Sequence, residues 1–248
     1  SDEREYSIEI DPRTITNDSL ALLKCLGFNR LSLGVQDFDE NVQIAINRRQ
    51  RLGMVQKLTE TARLHGFKSV SYDLIYGLPF QTLDSFITTL NTIIEMSPDR
   101  LSIFNYAHLP ERFKPQRRIN QADLPKHDEK LAILEQSIKT LQNAGYQHIG
   151  MDHFAKPEDS LSQAQRSNQL HRNFQGYTTH KECDLLGLGV SSISQIGNSY
   201  FQNTAVLPEY SEHLDNGQLA VNRGLELTND DILRRHIITD LICHYTLD

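Results

Sequence analysis

The sequence predicts an α/β fold, a partial (βα) barrel arc followed by a mostly helical C-terminal region. Three observations carry this expectation. Four short apolar runs, at 6–10, 31–36, 69–76 and 101–107, read as strands. Segments with helical periodicity separate them. Those segments open on capping residues and close on Gly or Pro. Strands that alternate with helices imply βαβ crossovers and a parallel sheet. A closed barrel of this kind has eight βα units, so four strands predict an arc.

The first strand alternates Tyr6, Ile8 and Ile10, turns Glu9 to the other side, and ends at Asp11-Pro12. Thr16 or Asn17 caps the next helix, whose stripe is Leu20, Leu22, Leu23 and Leu26 and whose stop is Gly27. After the second strand, Asp39 caps a short helix, and Met54, Val55, Leu58 and Ala62 mark a longer one ended by Gly66. GLPFQT is a turn, and Thr82 caps a helix carrying Phe86, Leu90, Ile93, Ile94 and Met96. Beyond Pro110 the chain becomes polar and proline-rich, which predicts a connection. A helix near 127–144 follows, with Leu131, Ile133, Leu134, Ile138 and Leu141 inward. GYQHIGMDHFA reads as one more strand, and DLLGLGVSSISQIGNSY as Gly-rich turns. Thr228 and Asp231 form a capping box before the last helix, with Ile232, Ile237, Ile238 and Leu241 on it. The expected organisation is 1–108 as barrel, 109–150 as connection and final barrel-side helix, and 151–248 as a substrate-side region.

The 248 residues are 38% apolar and 23% charged, with a net charge of −7 and no long Lys/Arg run. This composition is that of a globular protein and argues against nucleic-acid binding. No apolar run reaches the length of a membrane helix, and the start is charged rather than signal-like, so a cytoplasmic protein is expected; a monomer is the further expectation. The opening SDEREYSIEIDP reaches a strand pattern at once without an initiator Met, and the expectation is a start partway through a longer product. The three cysteines, Cys25, Cys183 and Cys243, are too scattered for a disulfide framework or a zinc knuckle. Cys25 and Cys243 sit in apolar helical patterns and are expected to be buried.

In parallel α/β folds, ligands gather beyond the carboxyl ends of the strands. Those ends carry Glu9 and Asp11, Gln36 and Asp37, Asp73 and Tyr76, and Asn105, Tyr106 and His108. Four polar ends together suggest a sizeable polar ligand. Asp73 is the sharpest, a carboxylate inside the apolar run YDLIY; the alternative is a buried Asp satisfied by backbone donors. Arg48 could clamp a carboxylate or stand solvated at a helix end. HRNFQGYTTH is unusually rich in polar and aromatic groups for a loop, though a surface turn would also account for it. Asp152-His153 could be a proton-transfer pair or structural. LLGLGVSSISQIG lacks the Lys-Ser/Thr of a phosphate loop.

The segments SIEIDPR, RLSLGVQDF, NRRQ, YDLIYGLPFQT, DRLSIFNYAHLP, GYQHIGMDHFA, HRNFQGYTT and DLLGLGVSSIS resemble, in order, the oxygen-independent coproporphyrinogen III oxidases of the radical S-adenosylmethionine type. The resemblance implies a partial radical-type barrel, a 4Fe-4S cluster on a CxxxCxxC loop, and bound S-adenosylmethionine. It implies oxidative decarboxylation of two propionates of coproporphyrinogen III to vinyls, giving protoporphyrinogen IX, with an outside electron donor. By residue, it places Glu9 and Ile193 at one S-adenosylmethionine, and Gln36, Arg48, Asp73 and Ala107 around a second. Phe174 and Gln175 match a loop that positions substrate or cofactor.

No CxxxCxxC is present, and the first strand here corresponds to the family's third. The chain by itself is therefore expected to hold no cluster and to be inactive, with no metal ligands of its own. A haem carrier sharing the barrel is the nearest alternative, and an α/β-barrel hydrolase a more distant one.

Overall fold

A computed structural model describes residues 4–181 and 183–247. The chain forms two compact units, Ser1–Asp159 and Ser160–Asp248.

The first unit holds β1 (Ser7–Ile10), α1 (Asn17–Cys25), β2 (Arg30–Gln36), α2 (Glu40–Ala45), α3 (Leu52–Leu64), β3 (Ser69–Tyr76), α4 (Leu83–Met96) and β4 (Arg100–Asn105). α5 (His127–Asn143), β5 (Gln147–Gly150) and β6 (His153–Ala155) complete it. The sheet order is β1-β2-β3-β4-β6-β5, with β1 to β4 parallel and the last two strands antiparallel. This is an open arc of parallel strands, as expected. GYQHIGMDHFA is two strands rather than one. Gly150 (φ 152°) and Met151 (φ 46°) turn the chain back on itself, so β6 and not β5 pairs with β4.

The two faces of the arc differ in chemistry. Ile10, Leu31, Leu33, Val35, Val70, Tyr72, Leu74, Leu101 and Ile103 point to one side and are buried with Leu20, Val55, Leu58, Phe86, Leu90, Ile93, Ile133 and Leu141 of the helices. Glu9, Ser32, Gly34, Asp73 and Ser102 occupy the alternate positions, on the face that these helices do not cover. Strand β3 therefore reads buried and half-buried in alternation, as a period of two requires.

The helix starts are chemical. Thr16 accepts from the Ser19 amide, Asp39 from the Asn41 and Val42 amides, and Thr82 with Ser85 forms a capping box. Of the stripe expected on α1, Leu20 is fully buried but Leu22 and Leu26 are exposed, because the helix rests on the sheet along a narrower seam. Cys25 is likewise exposed, against expectation, and Cys243 is buried. Leu131 also faces outward, being 48% exposed. Residues 109–126 pass through two short 3-10 turns, Lys114–Arg118 and Gln121–Asp123.

The second unit holds α6 (Ser160–Arg166), β7 (His171–Asn173), β8 (Gly176–Thr178), β9 (Ile193–Ile196), β10 (Ser199–Asn203), α7 (Leu207–Asp215), β11 (Val221–Glu226) and α8 (Asn229–His244). β7 and β8 form a hairpin, and β11-β10-β9 an antiparallel sheet. The segment read as Gly-rich turns thus contains β9 and the start of β10; cross-strand partners, not its own periodicity, make them. The Thr228–Asp231 capping box of α8 is present. Tyr177 Oη donates to the Ile242 carbonyl at 2.9 Å and Gln165 Nε2 to that of Cys243 at 3.1 Å, fastening hairpin and α6 to α8. No helix among the described residues is long and apolar enough to cross a membrane.

Candidate functional site

In the first unit the polar groups lie on the uncovered face and at the carboxyl ends of its strands. Ser32 Oγ donates to Asp73 Oδ2 at 2.7 Å from the neighbouring strand. Burial raises the Asp73 carboxyl above its ordinary 3.8, hydrogen bonds from Ser32 and Ser102 oppose that rise, and the Glu9 carboxylate adds to it. Glu9 is the register partner of Ser32, and Ser32 reaches diagonally to Asp73, whose own register partner is Gly34, so the three polar groups lie on one face of three adjacent strands. Ser32 and Ser102 escaped the sequence reading; small hydroxyls at the inward-facing alternate positions of RLSLGVQ and RLSIFN were the available signal.

Nearer the strand ends, β2 is irregular between Gly34 and Gln36, and Gln36 has φ 66°, a left-handed conformation seldom adopted by non-glycine residues. A Cβ on Gly34 would lie 2.9 Å from Gln36 Nε2 and 3.0 Å from Arg48 Nη2. Both side chains therefore sit over the face that Gly34 shares with its register partner Asp73. Arg48 Nη2 donates to the Gly34 carbonyl at 2.8 Å, and Nη1 lies 3.1 Å from Asp11 Oδ2. The carboxylate clamped by Arg48 is thus the chain's own Asp11, which Arg13 holds as well, at 2.7 Å. The Arg13 hydrogen bond, with Arg48 nearby, lowers Asp11 to about 2.

Gln36 and Arg48 line a cavity of about 550 Å³ with Arg13, Ile75, Tyr106 and Gln116. Ala107 follows β4 directly, and its carbonyl accepts from Gln116 Nε2 at 3.0 Å. The sequence-derived residues Gln36, Arg48 and Asp73 thus share one face of the arc with Glu9, and Ala107 touches a wall of the cavity.

Asp37 plays another part. It is fully buried, accepting from the Asp39 amide at 2.8 Å, Thr89 Oγ1 at 2.6 Å and Gln81 Nε2 at 2.5 Å. Gln81 Oε1 accepts in turn from the Gly77 and Leu78 amides, at 2.6 and 3.0 Å. Gln43 Nε2 donates to the Asp37 carbonyl at 2.9 Å. Asp37 is therefore a brace between strand-end loops rather than a group that a ligand could reach. Asp152 uses its carbonyl to receive the Ile103 amide at 2.8 Å, and the His153 ring packs edge-on against Phe104, with centroids 5.8 Å apart.

In the second unit Phe174 is 55% exposed and stacks edge-on against Tyr200, centroids 5.3 Å apart. Phe174, Ile193 and Tyr200 line a cavity of about 290 Å³. Gln175 is exposed at the hairpin turn, its amide donating to Asn173 Oδ1 at 2.8 Å. Among the described residues no three His, Cys, Asp or Glu side chains gather where a metal ion could sit. The cysteines present do not fit an iron–sulfur cluster, which takes several converging thiolates.

Residues 1–93 match the Radical SAM superfamily model. An oxygen-independent coproporphyrinogen III oxidase of Thermostichus vulcanus is 47% identical over 247 residues, spanning 99% of this chain and 76% of that protein. The chain belongs to the oxygen-independent coproporphyrinogen III oxidase family. The family members from Pseudomonas aeruginosa and Escherichia coli are 56% and 53% identical over 246 residues, 99% of this chain and 54% of theirs. The chain spans about half the length of these curated relatives. A solved structure of coproporphyrinogen III oxidase from Escherichia coli, described as a radical SAM enzyme, superposes with a TM-score of 0.97 at 53% identity, covering 100% of this chain and 57% of that one. These relatives carry oxidase names, so the haem-carrier and hydrolase alternatives are not favoured.

Proposed function

We propose that this chain is the portion of an oxygen-independent coproporphyrinogen III oxidase that grips S-adenosylmethionine and faces a tetrapyrrole. The observation that carries the reading is that Gln36, Arg48, Asp73 and Glu9 share the uncovered face of the arc, with Gln36 and Arg48 lining a cavity of about 550 Å³, large enough for a nucleoside. The donor set fits: carboxylates suit ribose hydroxyls, an amide suits an adenine edge, and a guanidinium suits a methionine carboxylate. In this reading Gln36, Arg48, Asp73 and Ala107 surround one S-adenosylmethionine and Glu9 contacts another; in the second unit, Ile193 is assigned a contact with S-adenosylmethionine. Phe174 and Gln175 position substrate or cofactor.

Gln36, Arg48 and Asp73 would hold S-adenosylmethionine, which would supply hydrogen-atom abstraction in a whole protein whose 4Fe-4S thiolates come from outside this chain. The residues here hold and orient. Ser32 and Ser102 keep the Asp73 carboxylate aimed from the sheet, and the Gly34 gap lets Gln36 and Arg48 lie flat over it. In the whole protein each propionate would give up one hydrogen atom to the S-adenosylmethionine-derived chemistry, one electron to an outside acceptor, and carbon dioxide, leaving a vinyl group. The reading further assigns the whole protein an outside electron donor and a monomeric cytoplasmic life, without nucleic acid or membrane.

Calorimetry of S-adenosylmethionine on this chain tests the reading. Saturable binding that Gln36→Ala and Asp73→Ala each weaken supports it, whereas unchanged affinity in both variants removes it.

A further inference from the structure

We propose that the cavity between α8 and the β7–β8 hairpin of the second unit recognises the carboxylates of a tetrapyrrole, gripped by Arg172 and Arg235. The inference rests on the coproporphyrinogen reading above and names a place for that substrate's propionates.

The cavity measures about 570 Å³ and mixes cationic with apolar walls, Arg172 and Arg235 standing beside Phe174, Tyr200, Ile238 and Ile242. The charges around it are unevenly matched. Arg234 is paired with Asp230 at 2.6 Å. Asp231, a carboxylate in the same wall, has Oδ2 occupied by the Thr228 amide at 3.0 Å and the Thr228 hydroxyl at 2.7 Å. Arg235 reaches only neutral oxygens at the limit of hydrogen bonding, Tyr200 Oη at 3.5 Å and Asn198 Oδ1 at 3.4 Å. Arg172 lies over the Tyr177 ring, 5.6 Å from its centroid, and its buried Nε has no hydrogen-bond acceptor. Among the described residues neither Arg172 nor Arg235 has a carboxylate within ion-pair distance.

Two unmatched guanidiniums on half-apolar walls call for an anion, and Arg presents the planar fork that binds carboxylate bidentately. A small acid would leave the aromatic and aliphatic wall unused. A ligand with several carboxylates around a large flat body uses both, and the volume lies within the range of small-molecule sites. The edge-on Phe174–Tyr200 pair supplies a rigid surface for pyrrole rings.

The test titrates coproporphyrin III, a fluorescent tetracarboxylate, onto the chain and onto Arg172→Gln, Arg235→Gln and the exposed control Lys57→Gln. Saturable binding is expected, weakened about tenfold or more by each arginine substitution. The control should leave it unchanged, and Arg235→Lys should restore part of the loss. Unfolding midpoints monitor integrity, and the Lys variant decides the matter where a Gln variant fails to fold. Equal affinity in all variants overturns the pocket while leaving the family reading intact. Displacement of the porphyrin by equimolar inorganic phosphate would overturn the macrocycle assignment. A chain that takes S-adenosylmethionine but not coproporphyrin sinks the pocket alone, and one that takes neither removes the proposed function as well.

Discussion

Asp37 accepts a 2.5 Å hydrogen bond from Gln81 Nε2, and through it the loop after β2 is tied to the turn after β3. The bond fixes the orientation of the Gln81 amide, since Oε1 is already taken by the Gly77 and Leu78 amides. Asp37→Asn would set an amide N–H against Gln81 Nε2, donor facing donor, with no rotation free to relieve it. The expected loss is about 1–3 kcal/mol of stability, read as a lower urea midpoint at pH 7. A wild-type midpoint would show that this network does not brace the loops.

How much of this was legible in the sequence depends on where each residue's partners lie. Strands β1 to β4 follow from local alternation, and the caps at Thr16, Asp39, Thr82 and Thr228 from local chemistry. Those elements emerged as expected. The burial of Asp37 depends on Gln81 and Thr89, 44 and 52 positions away, and a carboxylate after a strand reads the same whether it faces solvent or a brace. Strand β11 is exposed along its whole length, so it has no alternation to detect. Arg48 was legible as a carboxylate clamp, but that its partner is Asp11 follows only from the turn at Asn47 (φ 53°), which sets the loop after α2 beside the turn after β1.

Asp73 makes stability depend on pH in a definite direction. Its folded-state value is raised from 3.8, mainly by burial, so the folded chain binds this proton more tightly than the unfolded one. The contribution is complete below 3.8 and is lost as pH rises through the elevated value. Asp73→Asn should therefore show a smaller decline in stability over that interval than wild type. Urea unfolding at successive pH values measures the difference, and parallel profiles would place the carboxylate in contact with water.

Asp11 runs the opposite way. Held at about 2, chiefly by the side-chain hydrogen bond from Arg13, then by the Arg13 backbone amide, with a smaller contribution from the charge of Arg48, it favours the folded state above 3.8 and loses that contribution as pH falls toward 2. Arg13→Ala should therefore raise the Asp11 value more than Arg48→Ala does. Carboxyl-carbon NMR titration of the two variants ranks them, and the reverse order would make Arg48 the main partner.

Gly34→Ala tests whether the gap in β2 exists for the side chains laid over it. The added Cβ would stand 2.9 Å from Gln36 Nε2 and 3.0 Å from Arg48 Nη2, closer than ordinary van der Waals contact. Both contacts are with the ends of flexible side chains, so the fold can yield where the site cannot. Stability should change by no more than about 1 kcal/mol, while Arg48 gives up its 2.8 Å bond to the Gly34 carbonyl. S-adenosylmethionine affinity should then fall by about tenfold, the worth of one charge-assisted hydrogen bond. Calorimetry beside a urea curve separates the two effects. A variant with intact affinity would mean that the ligand does not depend on Gln36 and Arg48 lying where they do.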